Sequence, residues 1–242
     1  MNNSIGIINF SQLSVALIPV LVVLLIFIRW SLSIKQPIYA LLRMFSQLLL
    51  IGYALGFIFE SQDSWFILLI LCFMCMTSSW IALGTVPEYR LRFYKYTLAA
   101  ISVGGGLTLV LITQGTLQLD PWYEPHYMVP IAGMIFANSM NSVSLSAERL
   151  HAELLHHDTF IQARNIAFQA AMIPVVNSLF AVGLVSLPGM MTGQILSGTS
   201  PFVAARYQIM VMAMVFGSSG LSTAIYLSLV KNFYRQENNN EL

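Results

Sequence analysis

The stretch Val182–Gln208, VGLVSLPGMMTGQILSGTSPFVAARYQ, is apolar enough to lie at membrane depth, yet helix-breaking residues interrupt it repeatedly. Pro188, Gly189, Gly193, Gly198 and Pro201 fall within fourteen positions. A proline removes a backbone hydrogen bond, and a glycine lowers helix stability. In lipid, irregular backbone persists only where it is buried in protein or lines a cavity. A broken apolar segment of this kind points to a transport path.

The rest of the chain supports a membrane setting. Of 242 residues, 57% are hydrophobic and 9% charged, against roughly a quarter charged in soluble domains. The net charge of +1 offers no footing for nucleic acid. Cys72 and Cys75 both lie in an apolar run, so they imply no disulfide framework. The first cation is Arg29, so the N-terminus lacks the basic region of a cleaved signal, and the first helix is expected to be retained.

About 20 mostly apolar residues cross a bilayer core of roughly 30 Å. Seven stretches qualify: 11–28, 38–59, 65–83, 97–114, 128–145, 167–187 and 208–230. The expected fold is therefore all-α, one polytopic membrane domain over 1–242, with a flexible tail at 236–242. The second span begins amphipathically, with Arg43 and Gln47 one turn apart. With seven crossings, Arg29, Lys35, Arg43, Arg90, Arg92, Lys95, Arg149, Arg164, Lys231 and Arg235 share one side. Positive charge collects in the cytoplasm, which puts the N-terminus outside and the C-terminus inside. Arg206 is the exception. Either it marks an outer helix end, or the 188–206 segment dips inward and Arg206 faces a wet cavity.

Several clusters could carry chemistry. Ser146–Asn165, SAERLHAELLHHDTFIQARN, is the longest polar interruption and falls on the cytoplasmic side. Leu150, Leu154 and Ile161 can share one face of a short helix, with Glu148, Glu153, His157 and Asp158 elsewhere. Such a helix is either a docking element or a solvated connector. Glu153 and His157 sit at i,i+4, a spacing that would need further ligands to hold a metal.

Asn138 and Asn141 lie three apart on one helix, and Asn177 lies on the next span. In a membrane these amides serve interhelical hydrogen bonds or a substrate path. Cys72 and Cys75, with Met190 and Met191 beside Pro188 and Gly189, are soft donors suited to Cu(I) or Zn. They also serve as adaptable packing groups. Gly104, Gly105 and Gly106 suit close helix packing. No G-x-x-x-x-G-K-[ST] occurs, so any ATP must bind another chain. Gly217-Ser218-Ser219-Gly220 does not meet G-x-S-x-G, and no histidine lies in a membrane span to act as base.

Four strings carry a resemblance: VPIAGMIFANSM (129–140), AAMIPVVNS (170–178), VGLVSLPGMMTGQILSG (182–198) and SPFVAARYQIMVM (200–212). They resemble the Fet-type permeases, membrane subunits of a bacterial ABC transporter associated with iron export. That family includes the plant aluminium-tolerance membrane proteins. The resemblance implies a non-catalytic permease of the inner (plasma) membrane that forms a homodimer in lipid and pairs with an ABC ATPase holding ATP and Mg. It implies export of iron or a related metal, with a nucleotide sugar as the alternative cargo; the short 146–165 loop, a departure from the family, leaves a stand-alone secondary transporter or channel as the alternative machine. The expected path residues are Asn138, Asn141, Asn177, Pro188, Gly189, Met190, Met191 and Gln194. The expected ATPase-facing residues are Glu148, Arg149, Glu153, Asp158 and Arg164. The family carries a longer loop here, with a Leu-Gly-Ala stretch. Its absence implies either a remodelled ATPase contact or weak coupling.

Overall fold

Proline and glycine punctuate a chain that is otherwise helical. The computed structural model describes residues 9–61, 63–155 and 159–240, the side chains of 10, 11 and 235–240 excepted. It divides into two compact units, 1–60 and 61–242.

The first unit holds α1 (Phe10–Ala16), α2 (Ile18–Arg29) and α3 (Lys35–Glu60). α1 stops at Leu17 because Pro19, near the start of α2, has no N–H to continue the ladder. Leu21, Leu25, Leu49 and Tyr53 point away from protein, as lipid-facing side chains do.

The second unit comprises α4 (Ser64–Ala82), α5 (Arg90–Val110), α6 (Pro125–Leu154), α7 (Phe160–Ala181), α8 (Gly189–Leu196) and α9 (Pro201–Asn240). A π-type turn, Leu111–Thr116, prolongs α5. α9 packs against α5, α6, α7 and α8, and so forms the hub. Phe93, Ile101, Ile135, Val143, Leu150 and Met214 fill the core around it.

The chain is a polytopic all-α membrane protein, with one correction to the expected count. Among the described residues, six helical stretches are long and apolar enough to cross a membrane: 12–29, 35–60, 64–85, 87–116, 125–154 and 201–234. The expected span 167–187 is the exception. It forms α7, which has 22 residues and ends at Ala181. At about 1.5 Å per residue it is long enough. Arg164, Asn165, Gln169 and Asn177 make it too polar to stand out from composition.

The helices also extend beyond their apolar centres. The expected short amphipathic helix within 146–165 is instead the end of α6 and the start of α7. Leu150 is buried on α6, while Ile161 is exposed on α7, so the two do not share a face. Alanine, leucine, glutamate and arginine are strong helix formers, so α6 continues past its apolar section. α9 likewise starts at Pro201, a residue suited to a first turn. Arg206 therefore sits on the second turn of α9, exposed and 4.7 Å from the Phe202 ring centroid. That is the helix-end alternative for this cation. Helix persists to Asn240, and 241–242, the end of the expected flexible tail, lie outside the described residues.

Candidate functional site

One end of the second unit is held by aromatic rings. Phe93 on α5 meets Phe233 on α9 at 5.0 Å between centroids. Tyr89, just before α5, lies 5.4 Å from His151 on α6. Phe160 on α7 lies 6.3 Å from Tyr234 on α9. These contacts bring the start of α5, the end of α6, the start of α7 and the end of α9 together. Arg90, Arg149, Arg164 and Lys231 ride on those same helix ends, so the basic residues gather there.

Of the expected ATPase-facing residues, Glu148, Arg149, Glu153 and Arg164 belong to this end, and they differ in exposure. Glu148 is exposed. Glu153 is buried and paired with Arg149 one turn earlier. The Arg164 guanidinium donates to Asn165 Oδ1 at 2.9 Å. Asp158 and His157 lie outside the described residues.

A seam of small and hydroxylated residues joins α5, α6 and α9. Ser222 Oγ on α9 donates to Ser139 Oγ on α6 at 3.1 Å, and Ser139 Oγ donates to the Ser218 carbonyl at 3.2 Å. A Cβ on Gly104 would stand 2.6 Å from the Ser222 backbone nitrogen. A Cβ on Gly105 would stand 3.2 Å from Phe136. Close packing is thus the role of these two glycines; nothing lies within 4 Å of one on Gly106. Gly217-Ser218-Ser219-Gly220 is continuous α9, not a nucleophile turn.

The opposite flank is open. α7 and α9 enclose a cavity of about 720 Å³, lined by Phe168, Met172, Val176, Asn177, Phe216 and Gly217 among others. It adjoins a smaller one of about 360 Å³ bordered by Arg164 and Asn165, and Phe168, Gln169 and Ala224 line both. The pair forms a trough along α7.

Beyond it the chain breaks as its prolines and glycines require. Gly183 has φ +83° and donates to the Ser186 carbonyl at 3.0 Å. α8 follows Pro188 and ends at Leu196, and Gly198 just beyond it has φ +96°, a conformation that favours glycine. Gln194 on α8 and Gln208 on α9 each bury an amide oxygen with no hydrogen-bond partner among the described residues. Buried oxygens left this way favour a filled or hydrated site.

The structure separates the expected path residues. Asn177 lines the trough. Met190 borders a third cavity, between α6, α8 and α9. Pro188 and Gly189 begin α8, and Met191 is half-buried beside Met190. Asn138 Nδ2 donates to its own helix at Met134, 2.8 Å away, and Asn141 is exposed. Of the weak metal candidates, Cys75 is buried 3.2 Å from Ser102 Oγ, while Cys72 is exposed; both are free thiols. Among the described residues, no three His, Cys, Asp or Glu side chains stand together as a metal site. Sequence reasoning missed Gln208, Phe216 and the trough-lining role of Gly217 and Gly220. A glutamine inside an apolar helix was the available signal for the first.

The family model described as "Uncharacterised protein family (UPF0014)" matches residues 10–164 and 156–234. Its two segments meet at the joint between α6 and α7. The chain is 36% identical to the "probable iron export permease protein FetB" of Escherichia coli K12, covering 96% of this chain and 94% of FetB. It is 32% identical to "Protein ALUMINUM SENSITIVE 3" of Arabidopsis thaliana, covering 88% and 83%. It is also 32% identical to "UPF0014 membrane protein YjkA" of Bacillus subtilis, covering 92% and 93%. No solved structure matches it.

Proposed function

Because the chain belongs to the UPF0014 family, we propose that it is the permease subunit of an ABC transporter that exports iron or a related metal. The observation that carries this reading is the likeness to FetB, which covers 96% of this chain and 94% of FetB. The energy source is ATP with Mg on a separate ATPase chain, since this chain has no phosphate-cradling motif of its own.

In this reading the basic, aromatic-bound end faces the cytoplasm, as the distribution of Lys and Arg favours. α7 packs beside α9 from Tyr234 back to Phe216, and counting it as a crossing puts the N-terminus outside and the C-terminus inside. The membrane is the plasma (inner) membrane, and the assembly holds two permeases and two ATPases. The short α6–α7 joint, with exposed Glu148 and half-buried Arg164, receives the ATPase. Closure of the ATPase pair moves α6 and α7 at that joint. Because α7 forms one wall of the trough, the motion opens or closes it against α9.

One observation favours a second cargo. The trough offers the amides of Gln169 and Asn177 and a wide apolar wall, without a hard-ligand set for Fe(II). A nucleotide sugar or other small organic solute would suit it.

The test is reconstitution of the chain with a candidate ATPase in lipid vesicles. ATP-dependent movement of iron is compared with other metals and with UDP-glucose. Iron movement that needs both chains is the expected result. UDP-glucose movement alone selects the second cargo, and movement without the ATPase selects a stand-alone transporter. An ATPase that never binds the solubilised chain overturns the ABC reading.

A further inference from the structure

At the end of the bundle that carries Arg206, away from Arg90, Arg149, Arg164 and Lys231, three helices converge on a void edged with sulfur. Met134 of α6, Met190 of α8 and Met210 of α9 border a cavity of about 300 Å³, together with His126, Tyr127 and Tyr207. Methionine commonly fills irregular gaps in a core. A gap filler closes a void, whereas these three line one that stays open.

Thioethers are weak ligands for hard ions and select soft ones such as Cu(I). At the rim, His126 Nδ1 lies 2.9 Å from Glu124 Oε1. A carboxylate on one ring nitrogen is the pairing that orients metal-binding histidines. One turn after Met190 on α8, the amide oxygen of Gln194 is buried without a hydrogen-bond partner among the described residues, so this region has polar demand that its packing leaves unmet. Met191 does not border the cavity.

We propose that this cavity binds a soft monovalent metal ion, of the class of Cu(I) and Ag(I), through the thioethers of Met134, Met190 and Met210. Binding is separate from the transport reading, because it needs neither an ATPase nor a vesicle. The ion enters as a ligand, with no change in its oxidation state. Leucine is the matched substitution, since Leu and Met exchange with little change in volume.

The experiment uses the full chain in detergent with Cys72→Ser and Cys75→Ser in place, which removes both thiols as competing soft donors. Ag(I) is titrated by calorimetry, and Cu(I) is measured under reductant against a chromophoric chelator. We expect one ion per chain, with sulfur neighbours in the X-ray absorption spectrum and no displacement by Fe(II). Met134→Leu/Met210→Leu weakens binding at least about tenfold, equivalent to about 1.4 kcal/mol. Met191→Leu leaves binding unchanged. Met190→Leu alone, on the half-exposed α8, tests the site should the double variant misfold. Loss of binding in the cysteine-free parent overturns the proposal. So does equal affinity after the leucine changes, or an equal loss in Met191→Leu.

Discussion

The two flanks of α9 are built on opposite principles. Toward α5 and α6 it presents Ser218 and Ser222 to Gly104 and Ser139, and the backbones approach until a single Cβ would overlap. Toward α7 it presents Phe216, Gly217 and Gly220 to the open trough, and toward α8 it presents Tyr207 and Met210 to the cavity that Met190 borders. Lipid supplies no hydrophobic drive between helices, so association rests on close contact and interhelical hydrogen bonds. The first flank has both. The second has neither in full, and so it can change shape at little cost. One fixed and one loose flank would let part of the bundle rock against the rest, the motion that the proposed transport needs.

The sharpest way to break this comparison is Gly104→Leu. Its Cβ would meet the Ser222 backbone, which cannot swing aside as a flexible side chain could. Overpacking of this kind costs about 1–3 kcal/mol or more. We expect a large drop in the melting temperature of the solubilised protein, or failure to accumulate in membranes. An unchanged melt would mean that the seam is not fixed.

Gly198→Ala follows, because a left-handed residue with a Cβ costs about 1–2 kcal/mol. The expected signs are a modest thermal shift and easier proteolysis of 189–200, with the seam unaffected. Ser139→Ala with Ser222→Ala should be milder still. Interhelical hydrogen bonds in membranes average about 0.6 kcal/mol each, so a loss of about 1 kcal/mol in a denaturation series is expected.

Gly217→Leu should scarcely change stability, within about 0.5 kcal/mol, since nothing lies within 4 Å of its added Cβ. Its side chain would occupy the trough. We therefore expect ATP-dependent transport in vesicles to fall severalfold while the melt stays put. The reverse pattern, a lost fold with transport retained per folded molecule, would erase the distinction between the flanks.

Reading the residues alone located the helices by their apolar centres and missed their ends. Spans 65–83 and 128–145 fell on α4 and α6 because Trp65–Leu83 and Met128–Leu145 are mostly apolar and carry no charged residue. The extensions through Arg90–Tyr96 and Ser146–Leu154 were hidden. Charged residues at a helix end look like loop until a partner is seen: Arg90 donates to the Trp80 carbonyl at 2.8 Å, and Glu153 is paired with Arg149. α7 was found as a span in sequence, yet its Gln169 and Asn177 depress its hydropathy because they line a cavity. Of the candidate site, Asn177 and Met190 border cavities, while Asn138 and Asn141 do not meet them.

Composition, the Pro/Gly spacing of 182–208 and four strings of sequence determined by themselves that this is a polytopic helical membrane protein of a permease family. These are properties of local chemistry, set by how each segment partitions into lipid and whether it can complete its own backbone bonds. Tertiary structure decided which interruption is structural and which is open. Gly104 and Gly217 read alike in sequence, but one meets a backbone at van der Waals overlap and the other faces empty space. Only the docking of α5 and α7 on opposite flanks of α9 separates them.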